Sequence, residues 1–148
     1  MSERFVIEKP EFDAATGVAT FRYGIADRVF TETLTFPQGG DLSVVETASF
    51  LKLLDLTAVV LGVSYFKLRA PFVLESAIEM NADERTLTLD IYENGLGEFY
   101  ARNDLRRFGQ ISVNVNTDNR PAPSAPSLRD RALLPIGGGK DSLVSVQL

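Results

Sequence analysis

The chain has 148 residues, of which 45% are hydrophobic and 24% are charged, and its formal net charge is −5. This composition is typical of a globular protein with its own core, and the negative charge disfavours a general nucleic-acid binder. Because the chain contains neither cysteine nor histidine, it can form no disulfide, thiolate metal site or thiol nucleophile, and any acid–base chemistry falls to Asp, Glu, Lys or Tyr. A bound metal would be a hard, oxygen-ligated ion such as Mg²⁺.

The apolar stretches do not predict a membrane protein. Residues 1–10 mix charged with apolar side chains, which is unlike a signal peptide. The longest apolar stretch, residues 53–66, contains Asp55 and falls short of the roughly 20 apolar residues that span a bilayer. We therefore expect a soluble, cytoplasmic protein that binds neither a membrane nor nucleic acid.

The first part of the chain predicts a β-meander of about three strands. Residues 4–12, 18–25 and 29–36 are rich in β-branched and aromatic side chains, and turn residues separate them. In the third segment, threonines alternate with larger apolar or charged side chains, as expected for a strand with two different faces.

A mostly buried helix is predicted after the meander. Between Val44 and Leu61, apolar residues recur three and four positions apart. Asp41 or Ser43 can cap its N-terminus, and Gly62 is expected to end it. The aromatic segment that follows, residues 63–67, is interpreted as core, with a pocket wall as the alternative.

Two further strands and a second helix are predicted after this segment. Residues 71–78 and 111–115 have strand composition. Between them, a helix is expected over residues 83–103, capped by its first residue. Gly95 and Gly97 lie inside this helix, where each costs about 1 kcal/mol relative to Ala. Such a cost suggests that another part of the protein packs closely on the glycine backbone, or that a ligand approaches it.

Several charged side chains are interpreted as surface groups. Glu98 and Arg102 lie four residues apart, so they can pair across one helical turn. Glu46 and Asp55 are expected to be solvated or paired with a neighbour. None of these residues is assigned a catalytic role, and the catalytic residues stay unidentified.

Composition divides the chain into three parts. Residues 1–116 are expected to form an N-terminal α+β domain, a β-meander with two helices. Residues 117–130 are rich in Pro, Ala and Ser and predict a linker. Residues 131–148 predict the first strand, loop and helix start of a truncated α/β nucleotide-binding domain.

The motif that indicates chemistry lies in this last part. The apolar strand Ala132-Leu133-Leu134-Pro135-Ile136 runs into three glycines and then into Lys-Asp-Ser, before an apolar helix start. Glycines permit close approach of the backbone to a ligand, and successive amides beside a helix N-terminus bind anions. This arrangement predicts a phosphate site.

The pattern matches one type of phosphate loop and differs from two others. It is not a Walker A loop, because Asp141 follows Lys140 and Leu134 occupies the position of the first glycine. It is not Gly-x-Gly-x-x-Gly, because Ser142 replaces the third glycine. It matches Ser-Gly-Gly-x-Asp-Ser, the pyrophosphate loop (PP-loop) of enzymes that split ATP between its α and β phosphates, with Gly137 in place of the leading Ser. A glycine turn without a ligand is the alternative.

Three segments of the chain together carry a family resemblance. They are Gly62-Val63-Ser64-Tyr65-Phe66-Lys67, Ile91-Tyr92-x-Asn94-Gly95-Leu96-Gly97-Glu98-Phe99-x-x-Arg102-Asn103 and Ile136-Gly137-Gly138-Gly139-Lys140-Asp141-Ser142-Leu143-Val144-Ser145. In order and spacing they resemble the N-terminal half of the ATP-dependent UDP-N-acetylmuramoyl-L-alanyl-L-glutamate epimerases of bacterial peptidoglycan synthesis. Phe66 departs from the tyrosine expected in that family.

The resemblance implies an isomerase that uses ATP and Mg²⁺. It would invert the terminal L-Glu of UDP-MurNAc-L-Ala-L-Glu to D-Glu by way of an adenylated carboxylate, and pyrophosphate would leave. By the same resemblance, Asp141 is assigned to Mg²⁺ or to the geometry of the loop. The residues implied to hold the pyrophosphate are Gly137, Gly138, Gly139, Lys140 and Ser142.

The family protein is much longer than this chain, which stops six residues after Ser142. We therefore interpret the chain as an N-terminal fragment or a truncated reading frame, which alone is expected neither to epimerise its substrate nor to bind ATP tightly. One alternative is a fragment of another PP-loop enzyme, such as an amide synthetase or a tRNA-modifying enzyme, although the acidic net charge disfavours the tRNA case. The other alternative is a non-catalytic binding module.

Overall fold

The computed structural model of the chain describes residues 3–37, 47–120 and 137. The fold is mixed α+β, as predicted: two long helices cover one face of a single sheet, and a short third helix follows them. The predicted start of a nucleotide-binding domain lies outside the described residues, apart from Gly137. The strands are β1 (Arg4–Ile7), β2 (Glu11–Asp13), β3 (Val18–Ile25), β4 (Arg28–Thr35), β5 (Val73–Ser76) and β6 (Ser112–Asn114), and the helices are α1 (Ala48–Phe66), α2 (Ala82–Glu93) and α3 (Gly97–Arg102).

The sheet combines an antiparallel and a parallel half. β4 pairs with β3 along its whole length, and β1 and β2 follow one another along the other side of β3. Beyond β1, strands β5 and β6 add in parallel, so the order across the sheet is β4–β3–β1–β5–β6. The single strand predicted over residues 4–12 is divided into β1 and β2, because Pro10 between them has no N–H for the ladder.

One face of the sheet forms the core beneath the helices. In β3 every second side chain is buried, and Tyr23 is buried completely. Phe5 pairs in register with Leu74, and Leu74 pairs with Val113, so these three buried side chains lie in one row across the parallel strands. The alternate side chains of β3 are only partly covered, as is usual for a sheet with helices on one face.

Helix α1 begins at Ala48 and is the longest helix of the described residues. The Thr47 side chain caps it by accepting a hydrogen bond from the backbone N–H of Phe50 at 3.2 Å, whereas the predicted caps Asp41 and Ser43 lie outside the described residues. In the described part of the chain, α1 alone is long and apolar enough to cross a membrane, which the shorter predicted stretch did not suggest. A core helix meets the same criteria, and α1 packs against β1 and β3.

The C-terminal end of α1 differs from the prediction. Gly62 does not end the helix, which continues to Phe66. A Cβ atom added at Gly62 would lie 2.7 Å from Oη of Tyr92 and 3.0 Å from Cε1 of Tyr23. The glycine is therefore required by the close packing of two tyrosines against the helix, and not by a helix cap.

The second predicted helix is divided into α2 and α3. α2 begins after Asn81 and not at the predicted cap Asp83, because Asn81 and Glu84 form a capping box in which each side chain accepts the other's backbone N–H. α2 and α3 are separated near Gly95, where an added Cβ would lie 2.5 Å from the carbonyl oxygen of Ile91. A side chain at this position would thus clash with the preceding helical turn.

Backbone contacts of the N-terminal unit continue past the predicted boundary at residue 116. The N–H of Met80 donates to the carbonyl oxygen of Asn116 at 3.0 Å, and the N–H of Asp118 donates to that of Met80 at 3.0 Å. The segment after β6 is therefore held beside the connection between β5 and α2. The division of the chain into two domains and a linker stays a prediction.

Candidate functional site

The predicted PP-loop is described at one residue only. Gly137 is exposed, and an added Cβ would meet no described atom within 4 Å, so nothing described blocks access to its backbone. The roles of the loop in binding pyrophosphate and Mg²⁺ therefore stay predictions. The predicted site residues that lie outside the described part are Gly138, Gly139, Lys140, Asp141 and Ser142.

The other two segments of the family resemblance meet in the core. Phe66 at the end of α1 packs edge to face on Tyr92 of α2, with the ring centroids 4.9 Å apart. The Lys67 ammonium lies 5.9 Å from the centre of the Phe99 ring, within the range of a cation–π contact. The two segments, distant in sequence, thus form one packing unit.

Tyr92 of this packing unit and Tyr23 of β3 stabilise the fold and offer no free base. The Tyr92 hydroxyl donates to the carbonyl oxygen of Val59 at 2.9 Å, and the Tyr23 hydroxyl donates to that of Ala58 at 3.0 Å. Burial raises the pKa of both tyrosines, so they stay neutral at physiological pH. Phe66 is fully buried, which confirms the interpretation of its segment as core at that position.

Charged side chains of the second segment have structural roles. Glu98 and Arg102 form the predicted pair across one helical turn, 2.8 Å apart, and both side chains are more than three-quarters exposed. Such a surface pair contributes little to stability. Glu93 is buried, and its Oε1 accepts the N–H of Ile111 at 3.0 Å, which ties α2 to the start of β6. Sequence reasoning missed this contact because an acidic residue at a helix end carries no signal of burial.

A cleft with charged walls lies where the parallel strands end. Lys9 follows β1, Asp118 and Arg120 follow β6, and Lys52 and Asp55 belong to α1. Together they line a cavity of about 210 Å³. In open α/β sheets, ligands bind outside the carboxyl ends of parallel strands. This cleft is therefore the candidate functional site of the described residues, and sequence reasoning did not identify it.

An ion-pair network forms one wall of the cleft. The Lys52 Nζ lies 2.9 Å from Asp118 Oδ2 and 3.0 Å from Glu84 Oε2, and it also donates to the carbonyl oxygen of Glu79 at 3.1 Å. The Arg120 Nε lies 2.8 Å from Asp118 Oδ1. Hydrogen bonds from Arg120 and Lys52 hold the pKa of the Asp118 carboxyl well below its usual range. An ammonium has three hydrogens, so this Lys52 is saturated by its three acceptors.

Asp55 differs from the other charged residues of the cleft. It is half-buried, and it also lines a smaller cavity between α1 and α2. Within the described residues, no hydrogen bond or ion pair of its carboxylate is found, and the side chain is partly exposed, which is compatible with the expected solvated group. Burial raises its pKa, and the charges of Lys9 and Lys52 act in the opposite direction. A carboxylate in such a setting can take up a proton or bind a cationic group.

The cleft does not provide a metal site. Within residues 3–37 and 47–120, no group of three or more acidic side chains is arranged to hold a metal ion. The carboxylates of Glu84 and Asp118 are instead engaged with cationic side chains. The assignment of Asp141 to Mg²⁺ stays a prediction.

Comparison with known protein families identifies the domain. The family model described as the MurL N-terminal domain matches residues 1–148. The chain belongs to the MurL N-terminal domain family. No solved structure matches the chain significantly.

Three relatives of this MurL N-terminal domain are named UDP-N-acetyl-alpha-D-muramoyl-L-alanyl-L-glutamate epimerase. The relative from Xanthomonas oryzae pv. oryzae is 39% identical over 143 residues, which cover 91% of this chain and 31% of the relative. A Micromonospora relative is 32% identical over 156 residues, which cover 98% of this chain and 34% of the relative. A relative from Salinispora tropica is 30% identical over 151 residues, which cover 98% of this chain and 33% of the relative. The chain thus spans about a third of the length of these curated relatives.

The ion-pair network makes the stability of the MurL N-terminal domain depend on pH. Because folding lowers the pKa of Asp118, the stabilisation is complete above the ordinary Asp pKa of about 3.9 and is lost as the pH falls further. We expect Asp118→Asn to lower the urea midpoint at pH 7, and the difference from the wild type to shrink below about pH 4. Asp27→Asn, at an exposed turn, is the matched control. An Asp118→Asn variant with the wild-type midpoint at pH 7 would contradict this prediction.

Proposed function

We propose that the chain is the N-terminal part of an ATP- and Mg²⁺-dependent epimerase that converts the terminal L-Glu of UDP-MurNAc-L-Ala-L-Glu to D-Glu during peptidoglycan synthesis. The observation that carries this proposal is the similarity to three relatives named as this epimerase, over 91% or more of the chain. The PP-loop pattern of residues 137–142 supports the use of ATP. Because the reaction consumes ATP, we place the protein in the cytoplasm.

The proposed reaction explains why ATP is needed. Removing the α-proton of a glutamate whose carboxylate is ionised is difficult, because the product would carry two negative charges on adjacent atoms. When a carboxylate oxygen attacks the α-phosphorus of ATP, the bond to the β-phosphate breaks, pyrophosphate leaves and the charge of the carboxylate is lost. The α-proton is then far more acidic. Its return to the opposite face inverts the centre, and water releases AMP and the D-Glu product.

In this proposal, the part of the chain that contributes to the chemistry is the loop that binds pyrophosphate. The backbone amides of residues 137–139 would offer their partial positive charge to the phosphate oxygens, Lys140 would neutralise phosphate charge and the Ser142 hydroxyl would donate a hydrogen bond. Asp141 offers a hard oxygen ligand to Mg²⁺, which neutralises charge on the phosphates when it is bound.

The proposal is tested by incubating the full-length protein with UDP-MurNAc-L-Ala-L-Glu, ATP and Mg²⁺. Chiral analysis of the glutamate after acid hydrolysis should show D-Glu, with AMP and pyrophosphate formed in equal amounts. UDP-MurNAc-L-Ala, which lacks the glutamate, is the matched control and should give no AMP. D-Glu formation without ATP, or intact ATP after prolonged incubation, would refute the proposal.

The 148-residue chain alone is expected to be inactive in the same assay. A parallel strand of a doubly wound domain needs neighbours that cover it, and the chain contains only the predicted first strand of that domain. Titration calorimetry should detect no tight binding of ATP to the chain. A micromolar affinity would show that the loop binds ATP without the rest of the domain.

A further inference from the structure

An exposed apolar ridge runs along helix α1. Leu53, Leu56 and Val60 are 59%, 40% and 52% exposed, and they lie three and four residues apart, so they share one face of the helix. We call these three residues the α1 ridge. The buried residues of α1, among them Ala58 and Gly62, lie on the opposite face. α1 is thus apolar on both faces, although only one of them packs on the sheet.

This ridge is unusual for a helix that lies on the surface. Single exposed apolar side chains are common in soluble proteins, but a surface helix normally carries polar residues opposite its buried face. Helix α2, which packs against α1, also carries an exposed leucine, Leu87. Contiguous exposed apolar surface of this kind marks an interaction site.

The path of the chain indicates what covers the ridge. Asp118 forms an ion pair with Lys52, the residue directly before Leu53, with a distance of 2.9 Å between the charged atoms. The described domain ends two residues later at Arg120, which pairs with the same Asp118. Arg120, the last residue of the described domain, thus lies in the cleft beside the first turns of α1. In the relatives, about two-thirds of the length lies outside the region matched by this chain.

We propose that the α1 ridge is the surface on which the C-terminal, ATP-binding part of the full-length protein docks. The partner surface is apolar and complementary to a leucine- and valine-lined helix. The inference rests on the proposed function only in that the chain belongs to a longer, ATP-binding protein. Its test measures access to the ridge and not turnover, so the two proposals can fail separately.

Thiol labelling in the full-length protein tests the docking. The 148 residues contain no cysteine, so Leu53→Cys introduces a defined thiol on the ridge. Val29→Cys is the matched control, because Val29 is a 66% exposed apolar residue of β4 on the hairpin outside the helices. Peptide-resolved mass spectrometry follows the reaction of each thiol with a maleimide. A docked C-terminal part would cover the thiol at position 53, which could then react only in the undocked molecules. We expect it to react at least about tenfold more slowly than the thiol at position 29.

Further measurements separate the other possible occupants. In the 148-residue chain, which lacks most of the ATP-binding part, the two thiols should react at equal rates. Equal rates in the full-length protein would overturn the proposal. Slow labelling that persisted in the 148-residue chain would also overturn it, because the ridge would then be covered without the ATP-binding part. Slow labelling that disappeared on dilution would instead indicate a second copy of the protein, and slow labelling only with added lipid vesicles would indicate a membrane; both results would overturn the proposal. If Leu53→Cys does not fold, Val60→Cys serves as the second ridge position, with the same expected result.

Discussion

Replacing Tyr92 with alanine is expected to lower the free energy of unfolding by about 3–5 kcal/mol, the usual cost of truncating a buried aromatic side chain. Tyr92 is completely buried, and its ring packs on Phe5 and Phe66 with centroid distances of 6.2 and 4.9 Å. Its hydroxyl donates to the carbonyl oxygen of Val59. Since domains are stable by only about 5–15 kcal/mol, this variant should be close to unfolding. Urea denaturation followed by circular dichroism measures the effect.

Tyr92→Phe is the matched control for this prediction. It keeps the ring and removes one buried hydrogen bond, so a loss of about 0.5–1.5 kcal/mol is expected. If both variants lose the same amount, the hydroxyl and not the packing of the ring would carry the stabilisation. A small loss for Tyr92→Ala would mean that the two family segments are not joined through this side chain.

Replacing Ser142 or Asp141 with alanine in the full-length protein is expected to lower the rate of epimerisation by about 100-fold or more. For Ser142 the estimate follows from the cost of removing one preorganised donor to developing negative charge, and for Asp141 it follows from the loss of charge stabilisation by the metal ion. Ser142→Ala removes a proposed hydrogen bond to pyrophosphate, and Asp141→Ala removes the proposed ligand of Mg²⁺. The measurement is the initial rate of D-Glu formation, together with AMP release.

Ser127→Ala, in the predicted linker, is the control for the PP-loop variants and should leave the rate unchanged. Thermal unfolding of each full-length variant shows whether it is folded. If folded Asp141→Ala and Ser142→Ala variants keep the wild-type rate, the glycine-rich segment is a turn without a catalytic role. The proposed adenylation would then need another phosphate site.

Local sequence predicts the strands of the antiparallel half well. The boundaries of β3 agree with the predicted segment 18–25, and β4 agrees with the segment 29–36 to within one residue. Buried and partly buried side chains alternate in β3, whereas β4 is exposed on both faces except at Phe30, so the two different faces predicted for β4 are not observed. Ala26 in the turn between the strands has a positive φ of 54°. A hairpin is specified by neighbours in the sequence, so its signal is local.

The helix ends could not be predicted from local sequence. Gly62 has the chemistry of a helix terminator, yet α1 passes through it because Tyr23 and Tyr92 leave no room for a side chain. These tyrosines are 39 and 30 residues away in the sequence. The local sequence around a glycine that makes room for a ring from a distant part of the chain looks the same as that around a glycine that ends a helix.

The sequence by itself determined the mixed α+β class, the family and the exclusion of thiol and imidazole chemistry from these 148 residues, because each depends on composition or on the order of short segments. Only the tertiary structure decided which charged residues form the cleft. Lys52, Glu84 and Asp118 come from three separate segments of the chain, and they meet because the segment after β6 is bonded to the connection between β5 and α2 and lies beside α1. The tertiary structure also left Leu53 exposed, since the sheet can bury only one face of the helix.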